Sequence, residues 1–337
     1  MIAFLLKTFG LLVLGCLVGT LLLRLIVVRP SAGDDQKSPG QGVRLAREAN
    51  LRAHVRMLSE ELVPRSWRHR NNLEKAAGYI AASLQASGGR IEMQPFEAAG
   101  QIYTNILAAF GPDREPWIVV GAHYDVAGDG PGADDNASAV AGLLELGHLL
   151  GQQPLSRRVL LAAYSLEEPP FFGTSHMGSF VHARSLKRAG RRIELMICLE
   201  MIGYFSDQPG SQLFPFPLLR LFYPSTGNFV MVVDRIASNH GPRIRDGMRQ
   251  AEALPVYSIN APSFLWGIGL SDHRSFWKAG FDAVMITDTA FYRNRAYHTA
   301  EDTADRLDYA RMAGVVDALF GCMPVLDPAP LPAKRNR

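Results

Sequence analysis

His123, Asp125, Asp134, Asp135, Glu167, Glu168, Glu200 and His298 are the residues of this chain whose types and spacing could do chemistry. His123 and Asp125 form an H-x-D pair straight after the apolar run Ile118, Val119, Val120. Asp134, Asp135 and Asn136 follow a Gly/Pro/Asp loop and open an apolar helical pattern. Glu167-Glu168 and Glu200 each end another apolar run, and His298 lies in the loop after a third. Two imidazoles among several carboxylates are borderline-hard donors that suit Zn²⁺, with Mn²⁺ or Co²⁺ as substitutes. Taken singly, an H-x-D or an E-E pair is commonplace, and surface ion pairing explains it. The ordered set is a stronger signal, because carboxylates ending buried strands are costly without a cation to hold.

The elements that must position these groups read as alternating strands and helices. Strand patterns fall at 90–96, 103–110, 116–121, 158–165, 193–199, 228–233 and 283–287. Helical patterns begin at 43, with Leu45, Leu51, Val55, Leu58 and Leu62 on one face, and recur at 71–86, 136–150, 173–189, 271–279 and 303–320. This order predicts an α/β fold, a mostly parallel mixed sheet with helices on both faces. In such a sheet the strand ends carrying the candidate residues converge on one crevice.

The 337 residues suffice for one large α/β domain, and a net charge of +3 gives no case for nucleic acid. Cys16, Cys198 and Cys322 are few and apolar in setting, which argues against a disulfide framework and makes Cys198 a core thiol. Thr8 to Leu23 carries no charge, and Leu25 to Val28 extends the apolar run past Arg24. That length fits a tilted membrane helix, with a cleaved signal peptide as the competing reading. We therefore expect an anchor over 1–29, a Pro/Gly/Ser linker over 30–42, one catalytic domain over 43–326 and a disordered tail over 327–337. The positive-inside count does not fix the orientation.

HYD, PGADDNAS, EE, LEMIG, SDH and YHTAEDT, in that order, resemble the M28 zinc peptidases, which include bacterial aminopeptidases, and the related glutaminyl cyclases. The resemblance covers roughly 50–320. It implies a three-layer zinc-aminopeptidase-like fold, two zinc ions per chain, and peptide hydrolysis by a water shared between them. His123 matches a ligand of one zinc, and Asp125 the carboxylate that orients that histidine. Asp135 matches the bridging aspartate, with a cis peptide to Asn136, which leaves Asp134 as a loop or capping residue. Glu167 matches the general base and Glu168 a ligand of the second zinc. Glu200 falls where the family usually has aspartate, as the other ligand of the first zinc. His298 matches the second zinc's histidine, and Asp272 a carboxylate lying behind the ligands near the base. Tyr257 or Tyr223 could serve as an oxyanion donor, though both also read as ordinary cleft aromatics.

Several features depart from the pattern. Glu200 adds one methylene, and Ala139 stands in place of a glycine. Pro169-Pro170-Phe171-Phe172 replaces a glycine-containing turn and should stiffen the cleft wall. The Pro- and aromatic-rich insertion 209–225 reads as a lid or a rim of the specificity pocket, as a packed surface loop, or as a surface resting on the membrane. The expected function is a membrane-anchored aminopeptidase whose partners are a peptide substrate and a bilayer. By analogy with other anchored hydrolases, its domain lies outside the cytoplasm. A single-zinc glutaminyl-cyclase-like acyltransferase and a non-catalytic binding domain are the alternatives, and the filled ligand positions count against both.

Overall fold

Strand β3 (Trp117–His123) is buried at every residue, and its side chains alternate between two cores. Ile118, Val120 and Ala122 join one core, and Trp117 and Val119 the other. A strand apolar on both sides must lie in the middle of a covered sheet. The computed structural model describes residues 44–326 together with 9, 13, 15, 18–21 and 24–29. The anchor expected over 1–29 lies largely outside the described residues, and the linker 30–42 and the tail 327–337 lie entirely outside them.

The sheet has eight strands in the order β1-β2-β4-β3-β5-β8-β6-β7. The others are β1 (Arg90–Ala98), β2 (Gln101–Phe110), β4 (Val159–Tyr164), β5 (Ile193–Glu200), β6 (Val230–Arg235), β7 (Val256–Ala261) and β8 (Ala283–Thr287). The central β4-β3-β5-β8 block is parallel. β1 and β2 run antiparallel on one side, and β6 pairs antiparallel with β8 on the other. The expected mixed, mostly parallel sheet is therefore present, with its reversals at the edges. Because β3, β4, β5 and β8 are parallel, their C-terminal ends all face the same edge.

On one face lie α1 (Glu48–Arg56), α2 (Arg70–Ala86), α3 (Ala139–Leu150), α5 (His240–Arg249) and α7 (Tyr309–Leu326). On the other lie α4 (Gly178–Arg188) and α6 (His273–Ala279), which pack on each other. Helix α7 is long and apolar enough to cross a membrane, but 67% of its most apolar window is buried inside the protein. It packs against α3, α5 and α1 and is a core helix.

Local differences from the sequence pattern have local causes. α4 starts at Gly178 rather than 173, because a cis Pro169–Pro170 bond and successive turns occupy 169–177. α3 starts at Ala139, after a turn of wider helix at Ala133–Ser138 that contains a cis Asp135–Asn136 bond, as the resemblance implied. α7 starts at Tyr309, after a 3₁₀ turn at Ala304–Arg306. α5 and β7 lack an apolar run; α5 is polar and holds Gly241, Pro242 and Gly247. Gly121 in β3 has a packing reason: a Cβ there would lie 2.5 Å from the Tyr164 ring.

Candidate active site

The parallel strand ends deliver four of the expected residues to one edge. His123 is the last residue of β3 and Glu200 the last of β5. Glu167 and Glu168 follow β4 after a turn at Leu166, whose φ of 62° is left-handed. Met201 (φ 46°) and His298 (φ 59°) share that conformation, which costs a non-glycine residue about 1–2 kcal/mol. Three such residues within or beside the same cluster mark backbone bent to aim side chains.

Asp135 sits between two imidazole–carboxylate pairs. Its Oδ1 lies 3.4 Å from His123 Nε2, and its Oδ2 lies 3.1 Å from His298 Nε2. His123 Nε2 also faces Glu200 Oε2 at 3.3 Å, and His298 Nε2 faces Glu168 Oε1 at 3.3 Å. Glu167 Oε2 stands 3.9 Å from His123 Nε2. Ligand atoms of His123, Asp135 and Glu200, and separately of Asp135, Glu168 and His298, lie within 4.8 Å of one another. All but His298 are buried.

Asp125 faces both His123 and the turn that carries the two glutamates. Its carboxylate is 3.6 Å from His123 Nδ1, beyond a good hydrogen bond, whereas its own main-chain carbonyl lies 3.2 Å from that nitrogen. The carboxylate instead accepts the main-chain N–H groups of Glu167 and Glu168, both at 3.1 Å. Asp125 thus holds the turn that presents both glutamates.

Glu200's longer side chain has its own support. Ser271 Oγ donates to Glu200 Oε2 at 2.6 Å, and Asn136 Nδ2 approaches the same oxygen at 3.4 Å. Asp134 is a buried brace rather than a cap, accepting from Gly203 N at 3.0 Å and Asn294 Nδ2 at 2.8 Å. Asp302 holds the same loop by accepting from the main-chain N–H groups of Asp134 and Asp135. Asp272 is fully buried in the electrostatic reach of His123 and Glu200. Neither candidate tyrosine reaches the ligands. Tyr223 donates to Ser258 O at 2.7 Å, and Tyr257 packs edge-on against Tyr223 and Phe229. The tyrosine at the site is Tyr297, stacked on His298 with ring centroids 3.7 Å apart. Ser271 and Asp302 lie inside the motifs SDH and YHTAEDT, so proximity to a marked residue was the available signal.

The electrostatics show a site short of positive charge. Burial, then repulsion from Asp135, pushes Glu168 up to about 7, and burial pushes Glu167 well above the carboxylate range. Burial opposes a charge on His298, but Asp135 and Glu168 hold its proton up to about 10. Burial also opposes a charge on His123, and Glu200 and Glu167 overcome it. Asp135 Oδ1, Glu167 Oε1 and Glu168 Oε1 are buried without a hydrogen-bond partner. Carboxylates and imidazoles so placed either share protons or take cations. Divalent metal ions fit, with His123, Glu200 and Asp135 on one side and His298, Glu168 and Asp135 on the other.

Beside Glu200 lies an apolar cavity of about 100 Å³. Met231, Val233 and Met285 come from the sheet, and Leu213, Leu219 and Tyr223 from the insertion 209–225. That insertion is therefore a rim of the cavity. Phe171 of the expected stiffening turn points inward and packs on Trp67 and Tyr103.

Comparison with known proteins bears on this geometry. The family model for peptidase family M28 matches residues 105–323. The chain is 47% identical over 286 residues to the uncharacterized protein YfbL of Escherichia coli K12, covering 82% of this chain and 88% of that one. Among solved structures, a zinc aminopeptidase of Bacillus subtilis superposes with a TM-score of 0.65 at 15% identity, covering 84% of this chain and 95% of that one. A Bacteroides thetaiotaomicron glutaminyl cyclase superposes with a TM-score of 0.62 at 17% identity, covering 83% and 98%. At such identities the superpositions speak for the fold alone, and the fold hosts both activities.

Proposed function

The chain belongs to peptidase family M28, and from that premise we propose that it is a two-zinc aminopeptidase acting on peptides with an apolar first residue. The observation that carries this reading is Asp135, with one carboxylate oxygen turned to each of two His–Glu pairs. His123, Glu200 and Asp135 would hold one ion, and His298, Glu168 and Asp135 the other. When bound, the two ions supply Lewis acidity, lowering the pKa of water and polarising the scissile carbonyl.

The rest is done by the chain's own residues. Glu167 stands beside the ligands, 3.9 Å from His123 Nε2, and as a carboxylate it can accept water's proton and pass it to the leaving amine. Asp125 fixes Glu167 through its main-chain N–H. Tyr297 stays protonated, because burial and the site's carboxylates oppose its ionisation, and it offers a hydroxyl donor to developing negative charge. The apolar cavity next to Glu200 takes the first side chain. The domain division at 43–326, anchorage through 1–29 and an extracytoplasmic catalytic domain are part of the same proposal.

The test compares zinc-loaded wild type with E167Q on leucyl-4-nitroanilide and on its N-acetyl form. Hydrolysis of the free-amine substrate alone, lowered at least 10³-fold by E167Q, is the expected result. Full activity of E167Q sinks the assigned mechanism, and cyclisation of an N-terminal glutamine in place of hydrolysis sinks the peptidase reading. Protease accessibility of the domain in intact cells tests its side of the membrane.

A further inference from the structure

Exposed large apolar side chains are ordinary when scattered, but here six gather on two neighbouring loops. Leu213, Phe216, Leu218 and Leu221 come from the insertion, and Phe264 and Trp266 from the loop after β7; their exposures run from 42% to 85%. Leu213 and Trp266 line the mouth of the specificity cavity, so the two loops form one rim.

The other side of the insertion meets the N-terminal segment. Arg24 and Val28 share a second cavity with Leu221, Phe222 and Tyr223. Arg245 donates to the main-chain carbonyl of Arg29 at 2.5 Å, which ties this segment to α5. Residues 24–29, which follow the uncharged run Thr8 to Leu23 in the sequence, therefore lie beside the exposed rim. The chemistry of the rim fits what such a run enters. Residues 210–222 and 261–268 hold no carboxylate, and Arg220 and Arg24 are cationic neighbours of the apolar side chains. Apolar side chains flanked by arginine are what a bilayer with anionic headgroups takes up.

We propose that this rim docks on the lipid bilayer and that the cavity opens at the membrane surface, so that the enzyme takes the amino termini of membrane-associated peptides. The inference rests on the peptidase reading and adds its substrate class. Lipid contact and substrate entry share Leu213 and Trp266, whereas Phe216, Leu218 and Leu221 lie outside the specificity cavity.

The experiment places the full chain in phosphatidylcholine–phosphatidylglycerol vesicles with brominated acyl chains. Trp266 is the one strongly exposed indole of the four, the others being buried or half-buried. Bromolipid quenching is expected in wild type and largely absent in W266F. F216S/L218S/L221S should hydrolyse a lipid-tailed peptide with a free N-terminal leucine roughly tenfold more slowly on vesicles. The same variant should keep its rate on leucyl-4-nitroanilide in solution within about twofold. Absence of Trp266-dependent quenching overturns the inference, as does an equal loss on both substrates or crosslinking of the rims of two copies in place of quenching. Quenching without hydrolysis of the nitroanilide by zinc-loaded protein instead overturns the peptidase reading and leaves the surface standing.

Discussion

Replacing Asp125 by asparagine should damage the His298 half of the proposed metal centre more than the half that contains His123. Each oxygen of Asp125 accepts one main-chain N–H at 3.1 Å, from Glu167 and from Glu168. Asparagine keeps one acceptor and turns an amide –NH₂ toward the other N–H. One charge-assisted bond is lost, about 1.5–3 kcal/mol, and one buried donor is orphaned, about 1–3 kcal/mol. Relaxation of the turn recovers part of this, so we expect a stability loss of about 3 kcal/mol by urea unfolding. Glu168 should lose its aim, weakening the His298 half roughly 10–100-fold in zinc titrations. Displacement of Glu167 should lower kcat about 10²-fold at saturating zinc. His123 keeps the main-chain carbonyl at 3.2 Å, which the substitution leaves in place. In an H298A background, where the His123 half remains, D125N should therefore change zinc affinity by less than about threefold. Unchanged stability together with a large loss of affinity in that background would show that the carboxylate acts through His123, and the reasoning would be refuted.

Other predictions follow from the same contacts. S271A removes the 2.6 Å donor to Glu200 and should weaken the His123 half by about tenfold, read by competition with a zinc chelator. Stability of the metal-free protein should fall as pH rises. Glu168 sits at about 7 against roughly 4.3 unfolded, so its contribution is lost between those values. His298 sits at about 10 against roughly 6.5, and its contribution, full below 6.5, is lost as pH climbs through 10. Thermal melts at pH 5.5 and 8 should show the drop, and saturating zinc should reverse it; a metal-free protein more stable at pH 8 contradicts the charge-deficit account. V233F fills the cavity wall and should cut kcat/KM for leucyl over alanyl substrates by at least tenfold, while equal loss on both would place side-chain recognition elsewhere.

The strand-terminal residues were legible because they lie at breaks in strong local patterns. His123 and Glu200 end runs apolar on both faces, and such runs can only be central strands. Parallel order then puts their ends on one edge, so five of the clustered groups and Glu167 could be named from spacing and family resemblance together. The edge of the sheet was less legible: α5 is short and polar with glycine and proline, and β7 mixes polar with apolar residues, so neither forms the apolar run that marks a central element.

What no local pattern encodes is which polar atom meets which. Asp125 binds main-chain groups 42 and 43 residues away, Ser271 reaches Glu200 across 71, and Asp302 holds Asp134 across 168. Those pairings depend on how strands and loops stack, and a hydrogen bond is lost over a few tenths of an ångström or a few tens of degrees. Tyr257 and Tyr223 are held away from the ligands by contacts of this kind, whereas Tyr297 stacks on its own sequence neighbour His298 inside YHTAEDT. The sequence by itself determined that one imidazole and several carboxylates end or closely follow buried strands, with a second imidazole in a later loop, a donor set that suits cations. The tertiary structure decided that Asp125 braces the glutamates, that a serine steadies Glu200, and that the insertion rims an apolar cavity, because each depends on distances between segments far apart in the chain.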